Sequence, residues 1–216
     1  MKVKQRVIIE NVKPHVNHGE FPVKRVLNEL VVVTADIICD GHDMLGAEIQ
    51  YKPLDESVWN SIPMQLLVND EWKGVFEVNT LGTFKYRVIA WVDNFKSWHR
   101  DILKRIEAET DYNVDLLTGA EIIQLTIDEY PDMEAGDKQS LNKIAKEFLK
   151  ETEAPEKRIS YIVNDALYDL MVQYPVKQNF TTFDSGYEVI VERQKANFST
   201  WYEVFPRSLA KETGKH

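Results

Sequence analysis

Hydrophobic residues alternate with polar ones through much of the chain between residues 6 and 93, the period expected of strands with one buried face. Within this part, Phe84, Tyr86 and Val88 alternate with charged residues. The predicted strands lie near residues 7–14 and at 30–38, 47–51, 72–78 and 84–92, and turn-forming residues separate them at 40–41, 69–70 and 79–82. Short strands without helices between them favour an antiparallel β-sandwich over alternating βα units.

The period becomes helical from residue 95 to about residue 174 and predicts four amphipathic helices. The first places Trp98, Ile102 and Ile106 on one face. The second begins at a cap formed by Asp111 or Asn113 and has as its apolar positions Val114, Leu117, Ile122 and Leu125. After a break at residues 131–136, the third helix covers residues 140–151 and a fourth begins near Pro155. These helices predict a small helical bundle.

Alternation returns near the end of the chain, where Tyr187, Val189 and Val191 share one face of a predicted strand. A late strand that completes the sandwich makes the helices an insertion. We therefore expect an immunoglobulin-like antiparallel sandwich at residues 1–94 and 175–197, with an inserted helical bundle at residues 95–174. Mainly β structure with a helical insertion is the predicted fold class.

The last residues predict another element. Trp201, Tyr202, Val204 and Phe205 favour a short buried strand, and Pro206 ends it. Only eight residues follow Ser208, too few to cover such a strand. Residues 198–216 are accordingly interpreted as the start of a further, truncated domain, and the chain as the front part of a larger protein.

Composition excludes several function classes. The chain has 35 acidic and 26 basic residues, a formal charge of −9, which disfavours nucleic-acid binding. No apolar run approaches the roughly 20 residues that span a bilayer, so no membrane partner is expected. The first residues lack the apolar core of a secretion signal, and Cys39 is the only cysteine. Both observations favour the cytoplasm.

Tryptophan supplies the candidate binding residues, because flat aromatic faces can stack on sugar rings. Trp91 and Trp201 lie in apolar segments and are interpreted as core residues. Trp59 and Trp72 lie beside polar turns, where exposure is expected, and they are the candidate contacts for an α-glucan. Core packing is the alternative for both.

No pattern indicates catalysis, a cofactor or a metal. His15, His18 and Glu20 are spaced as metal ligands, but solvated loop histidines explain them better because structural zinc sites usually have four ligands. Asp40 and Gly41 are interpreted as a hairpin turn. Cys39 has no basic sequence neighbour that would activate it. Glu107, Glu109, Asp111 and Asp115 are interpreted as solvated residues near helix ends. The residues alone favour a binding or scaffolding module.

Six segments, in order and spacing, resemble the amino-terminal region of the α-1,4-glucan:maltose-1-phosphate maltosyltransferases of the α-amylase clan. They are Arg6-Val7-Ile8-Ile9-Glu10-Asn11-Val12-Lys13-Pro14, Phe21-Pro22-Val23-Lys24-Arg25-Val26, Asp40-Gly41-His42-Asp43, Tyr86-Arg87-Val88-Ile89-Ala90-Trp91-Val92-Asp93, Ser97-Trp98-His99-Arg100 and Trp201-Tyr202-Glu203-Val204-Phe205-Pro206-Arg207-Ser208.

The resemblance implies an immunoglobulin-like sandwich with a helical insertion, followed by a (β/α)8 barrel that begins near Trp201. It implies a retaining transfer of maltosyl units by an aspartate nucleophile and a glutamate acid/base, both beyond His216, so no catalytic residue is assigned to this chain. The implied partners are the chain's own barrel and a second copy in a homodimer. A glycogen- or starch-binding module is the alternative function, and a β-sandwich interaction protein unrelated to sugars is a third.

Overall fold

The computed structural model of the chain describes residues 6–150, 155–183, 186–198, 202–205, 209 and 211–212. Its strands are β1 (Val7–Lys13), β2 (Val23–Val26), β3 (Glu29–Cys39), β4 (Leu45–Pro53), β5 (Asn60–Pro63), β6 (Gln65–Leu66), β7 (Glu71–Val78), β8 (Gly82–Val92), β9 (Thr181–Thr182) and β10 (Tyr187–Glu192). Its helices are α1 (Asn94–Glu107), α2 (Asn113–Glu129), α3 (Ala135–Phe148), α4 (Pro155–Val163) and α5 (Asp165–Gln173).

The strands form two sheets. The smaller sheet has the order β1-β3-β7-β6, and the larger has the order β2-β10-β8-β4-β5 with β9 beside β8. Every pairing is antiparallel except that of β10 with β2. Alternate residues of both sheets, such as Val33 and Val88, are fully buried in one core between them. The predicted sandwich is confirmed, and the late strand β10 lies in the larger sheet beside β8.

The helices follow β8 and have a core of their own, separate from that of the sandwich. Asp93 caps α1, because its carboxylate accepts a hydrogen bond from the backbone N–H of Lys96. The Trp98 indole donates to the backbone carbonyl of Asp115 at 2.7 Å and so joins α1 to α2. The predicted combination of a sandwich with a helical part is confirmed.

The predicted buried face of α2 is wrong except at Ile122, which is half-buried and packs against the helical core. Val114, Leu117 and Leu125 are 72%, 48% and 47% exposed, and the buried residues are Leu116, Gly119, Ala120, Ile123, Thr126 and Ile127. The reason is steric: Gly119 leaves room for the Trp98 ring, which a side chain at that position would overlap. The small residues of α2 therefore face the core, and some of its large ones do not.

The predicted fourth helix is two helices. Asn164 has an extended backbone conformation, and its side chain accepts a hydrogen bond from the N–H of Ala166, which makes it the cap of α5. The third helix begins at Ala135, earlier than predicted, and so includes part of the predicted break. Asp111 contributes to the start of α2 by accepting a hydrogen bond from the backbone N–H of Asn113.

The predicted hairpin turn is wrong, whereas the terminal strand of a further domain stays a prediction. Asp40 and Gly41 do not form a hairpin turn, because β3 and β4 lie in different sheets. Trp201 lies outside the described residues, and Tyr202, Val204 and Phe205 are in no strand and are 85%, 56% and 70% exposed. A strand needs a neighbour for its backbone groups, and no residue that the structure describes pairs with residues 202–205.

Candidate functional site

Polar side chains cross the outer face of the larger sheet and end at Trp59. Strand register places Ser61, Gln50 and Arg87 directly opposite one another on β5, β4 and β8. Trp59 precedes β5 and is half-buried. The Arg87 guanidinium carbon lies 4.4 Å from the centroid of the Trp59 ring, and Lys52 Nζ lies 5.3 Å from it. We call Trp59, Arg87, Gln50, Glu48 and Lys177 the outer polar row.

Hydrogen bonds hold this row in place. Arg87 Nε donates to Gln50 Oε1 at 2.8 Å, and Gln50 Nε2 donates to Glu48 Oε1 at 3.2 Å. Glu48 also accepts from Ser61 Oγ at 3.0 Å and from Lys177 Nζ at 2.6 Å. Most of these side chains satisfy one another, so their positions are fixed before any ligand arrives.

Trp72 has a different environment, and its expected exposure is wrong. Trp72 is only 7% exposed, because it is an inward-facing residue of β7 and pairs with Ala35 of β3. The sequence signal of a neighbouring polar turn was misleading, since Asn69 and Asp70 bend the chain just before the strand begins. Trp59 and Trp72 therefore do not share a surface.

Trp72 does line a groove of about 580 Å³ at one end of the sandwich. Its other walls include Ile38, Met44, Met64 and Leu66, with Lys96 of α1 at one side. Cys39 also borders it, and burial raises the pKa of its thiol, although the nearby Arg6 acts in the opposite direction. A thiol with a raised pKa is a poor nucleophile.

The remaining candidate residues have structural surroundings. The rings of His15 and His18 stack with centroids 5.4 Å apart, while Glu20 accepts a hydrogen bond from Asn17. In the described part of the chain, no group of three or more His, Cys, Asp or Glu residues is arranged to hold a metal ion. Asp40 and Asp43 form ion pairs with Arg6. Glu107, Glu109 and Asp111 are exposed, as predicted, whereas Asp115 is half-buried and forms an ion pair with Arg105.

Two apolar surfaces face outward. The first, which we call the α2 stripe, consists of Val114, Leu117 and Leu125. The second, the apolar sheet face, lies on the outside of the smaller sheet and consists of the exposed Leu30 and Val32 of β3. Ile8 and Ile38 form a separate exposed pair on the same side, beyond Thr34 and Asp36. An antiparallel sheet that faces water normally carries polar residues there. Exposed apolar surfaces of this kind are typical of protein–protein contacts.

Comparison with known proteins identifies the family. A family model described as "Alpha-1,4-glucan:maltose-1-phosphate maltosyltransferase, domain N/S" matches residues 5–193. The chain belongs to this family. The maltosyltransferase of Chlorobaculum tepidum is 36% identical over 213 residues, which cover 99% of this chain and 31% of that protein. The maltosyltransferase of Methylacidiphilum infernorum is 32% identical over the same coverage of both chains.

A third maltosyltransferase, from Myxococcus xanthus, is 30% identical and aligns with 97% of this chain and 32% of its own length. The chain thus corresponds to the N-terminal region of a maltosyltransferase and spans about a third of the length of these relatives. The resemblance inferred from six sequence segments is confirmed. Among the described residues, no helix is long and apolar enough to cross a membrane.

The sequence did not indicate the outer polar row as a unit. Arg87 was visible as an outward residue of a predicted strand, but Glu48 was not expected to be buried. No sequence pattern indicated Lys177, because its partner Glu48 lies 129 positions away in the sequence. Only Trp59 was identified in advance.

Proposed function

We propose that this chain is the non-catalytic N-terminal region of an α-amylase-clan enzyme that transfers maltosyl units from maltose 1-phosphate to α-1,4-glucans. The observation behind the proposal is the family match, which covers nearly all of this chain and 31% of a full-length relative. The larger remainder of such a parent would hold the aspartate and glutamate of the reaction. The parent acts in the cytoplasm in this proposal.

The proposal also assigns roles to the parts of the chain. Residues 1–94 and 175–197 are an immunoglobulin-like sandwich, residues 95–174 are an insertion, and residues 198–216 lead into a catalytic barrel. The structure describes few residues of this last segment. The apolar sheet face is the proposed contact surface for the barrel, because the described residues leave Leu30 and Val32 of β3 exposed. Burial of such surface would fix the barrel relative to the sandwich.

Dimerisation is assigned to the α2 stripe. Val114, Leu117 and Leu125 lie on the side of α2 opposite to its buried residues, among polar neighbours such as Glu121. Large apolar side chains exposed on one side of a helix leave surface that a partner can bury. A second copy that presents the same stripe would bury both, as in a two-fold symmetric interface.

Sedimentation equilibrium tests the dimer. The purified chain is expected to have twice its monomer mass of 25.1 kDa at micromolar concentration. Leu117→Lys combined with Leu125→Lys is expected to give the monomer mass. Leu81→Lys is the matched control, because Leu81 is similarly exposed but lies in the turn before β8. A monomer mass for the unmodified chain, or a dimer unaffected by the double substitution, overturns the assignment to α2.

An activity assay tests the absence of catalysis. The purified chain, mixed with maltose 1-phosphate and glycogen, is expected to release no inorganic phosphate above the rate in buffer. A full-length family member serves as the positive control. Phosphate release with extension of the glucan would refute the non-catalytic role.

A further inference from the structure

We propose that Trp59 and Arg87 form a contact site for a segment of α-1,4-glucan on the outer face of the larger sheet. The site lies where the outer polar row reaches the sheet edge at β5. The choice of glucan as the ligand rests on the proposed function, since the parent would act on such chains. The geometry of the site does not depend on that function.

Two cations lie over the Trp59 ring. Arg87 projects from β8 and Lys52 from β4, and both lie close to the ring centroid, at 4.4 and 5.3 Å. Trp59 is half-buried, so part of its ring stays accessible. The accessible part of an indole offers flat apolar surface to a ligand.

Hydrogen-bond donors lie beside the ring. Arg87 uses its Nε to bind Gln50, and within the described residues its two Nη groups have no hydrogen-bond acceptor. A guanidinium carries five N–H donors, so four remain for a ligand. Glucose units offer an apolar C–H face and a rim of hydroxyl groups. The Trp59 ring would stack on the C–H face of a glucose unit, and Arg87 would donate hydrogen bonds to the hydroxyl groups at its rim.

The remainder of the outer polar row keeps Arg87 in position. Gln50 is bonded to Glu48, and Glu48 is buried and bonded to Ser61 and Lys177. A site that is already ordered loses less conformational entropy on binding. Glu48 also forms an ion pair with Lys177, which lies over Trp91, whereas Arg87 and Lys52 lie over Trp59.

A neutral glucan fits this site better than a polyanion. The chain carries a net charge of −9, which repels nucleic acids and other polyanions. The site itself is a single ring flanked by fixed polar groups, not a stripe of lysines and arginines.

Affinity electrophoresis of the 216-residue chain in gels that contain glycogen tests the site. The unmodified chain is expected to migrate more slowly in glycogen than in a plain gel, and normally in a gel with dextran, which has α-1,6 linkages. Trp59→Ala is expected to weaken binding about tenfold or more, and Trp59→Phe to weaken it less. Arg87→Gln is expected to weaken binding while keeping the Trp59 ring.

Phe21→Ala is the matched control, because Phe21 is an exposed aromatic residue outside the row. Thermal unfolding of each variant reports whether it folds. If Trp59→Ala does not fold, Trp59→Phe and Arg87→Gln carry the test. Normal migration of the unmodified chain in glycogen, or full retardation of the folded Trp59 and Arg87 variants, overturns the site. Either result leaves the family assignment and the dimer experiment unaffected, so failure of this site is distinct from failure of the proposed function.

Discussion

Lys177 Nζ lies 2.6 Å from Glu48 Oε2, and this ion pair joins the segment after the last helix to the middle of the larger sheet. Glu48 is buried, and Lys177 Nζ also lies 5.3 Å from the centroid of the Trp91 ring. The two residues are 129 positions apart in sequence. The pair therefore fixes how the chain returns from the helices to the sandwich.

Lys177→Met tests this connection. It leaves the Glu48 carboxylate without its cation, and we expect a loss of about 2 kcal/mol in the free energy of unfolding. A fully buried pair would cost about 3–5 kcal/mol, but the Lys177 side chain is 29% exposed, so water compensates in part. Urea unfolding measures the change. Lys24→Met, which breaks the exposed pair with Glu192, is the control and should cost under about 0.5 kcal/mol. Equal effects of the two substitutions would contradict the assigned role.

Two glycines in helices are expected to respond in opposite ways to alanine. A Cβ at Gly119 would overlap the Trp98 ring, which its hydrogen bond to Asp115 keeps from moving, so Gly119→Ala should destabilise by about 1–3 kcal/mol. A Cβ at Gly136 meets no atom within 4 Å, and Gly136→Ala should stabilise α3 by up to about 1 kcal/mol. Thermal unfolding compares the two variants. The same sign for both would contradict the close packing of α2 on Trp98.

Ionisation of Tyr86 is expected to lower the stability of the folded chain at alkaline pH. Its side chain is buried, and its hydroxyl donates a hydrogen bond to the carbonyl of Pro14. Burial raises the pKa of Tyr86, so the folded state holds its proton to higher pH than the unfolded state does. This contribution to stability is complete below a pH of about 10 and is lost as the pH rises further.

Tyr86→Phe is therefore expected to cost about 1–2 kcal/mol at neutral pH, through the lost hydrogen bond. Above a pH of about 10, the difference from the unmodified chain should shrink, because the variant has no phenol to ionise at this position. Urea unfolding at several pH values measures this difference. A constant difference across the alkaline range would contradict the prediction.

Glu147 is expected to make stability depend on pH at the acid end of the range. A hydrogen bond from Lys150, and to a smaller extent one from Lys157, lowers the pKa of the Glu147 carboxylate. The oxygen–nitrogen distances are 2.8 Å to Lys150 and 3.1 Å to Lys157. The resulting stability is present above the unfolded-state value of about 4.3 and is lost as the pH falls below it. Glu147→Gln should give a shallower loss of stability in acid. Glu121→Gln, at an exposed position on α2, should follow the unmodified chain, and an unchanged acid slope for Glu147→Gln would refute the pairing.

Sequence periodicity predicted the sandwich because its strands have one buried face each. Val33 and Val88 face the core as the alternation requires, and Tyr187, Val189 and Val191 are buried as predicted. The short strands β2, β5, β6 and β9 have too few residues to show a period, and pairing with neighbours defines them. The outer polar row could not be predicted, because its members come from separate strands and a distant loop.

The wrong predictions for α2, the fourth helix and Trp72 have a common cause. Each depends on a local packing or capping arrangement that the size and polarity of the residues do not reveal. On α2, Gly119 and Ala120 face the core because Trp98 needs the space, and this leaves Leu117 outside. At Asn164, a cap divides what the hydrophobic stripe suggested was one helix. Trp72 follows a polar turn and is nonetheless buried, because the turn leads directly into a core strand.

The most direct test of the proposed function is the coding sequence that follows the codon for residue 216. If the chain is the N-terminal region of a maltosyltransferase, we expect an open reading frame with several hundred more codons, which encode the strand and helix repeats of a (β/α)8 barrel of about 250 residues. We also expect an aspartate and a glutamate at the ends of barrel strands. A stop codon directly after residue 216, or a continuation without barrel repeats, would contradict the proposed function.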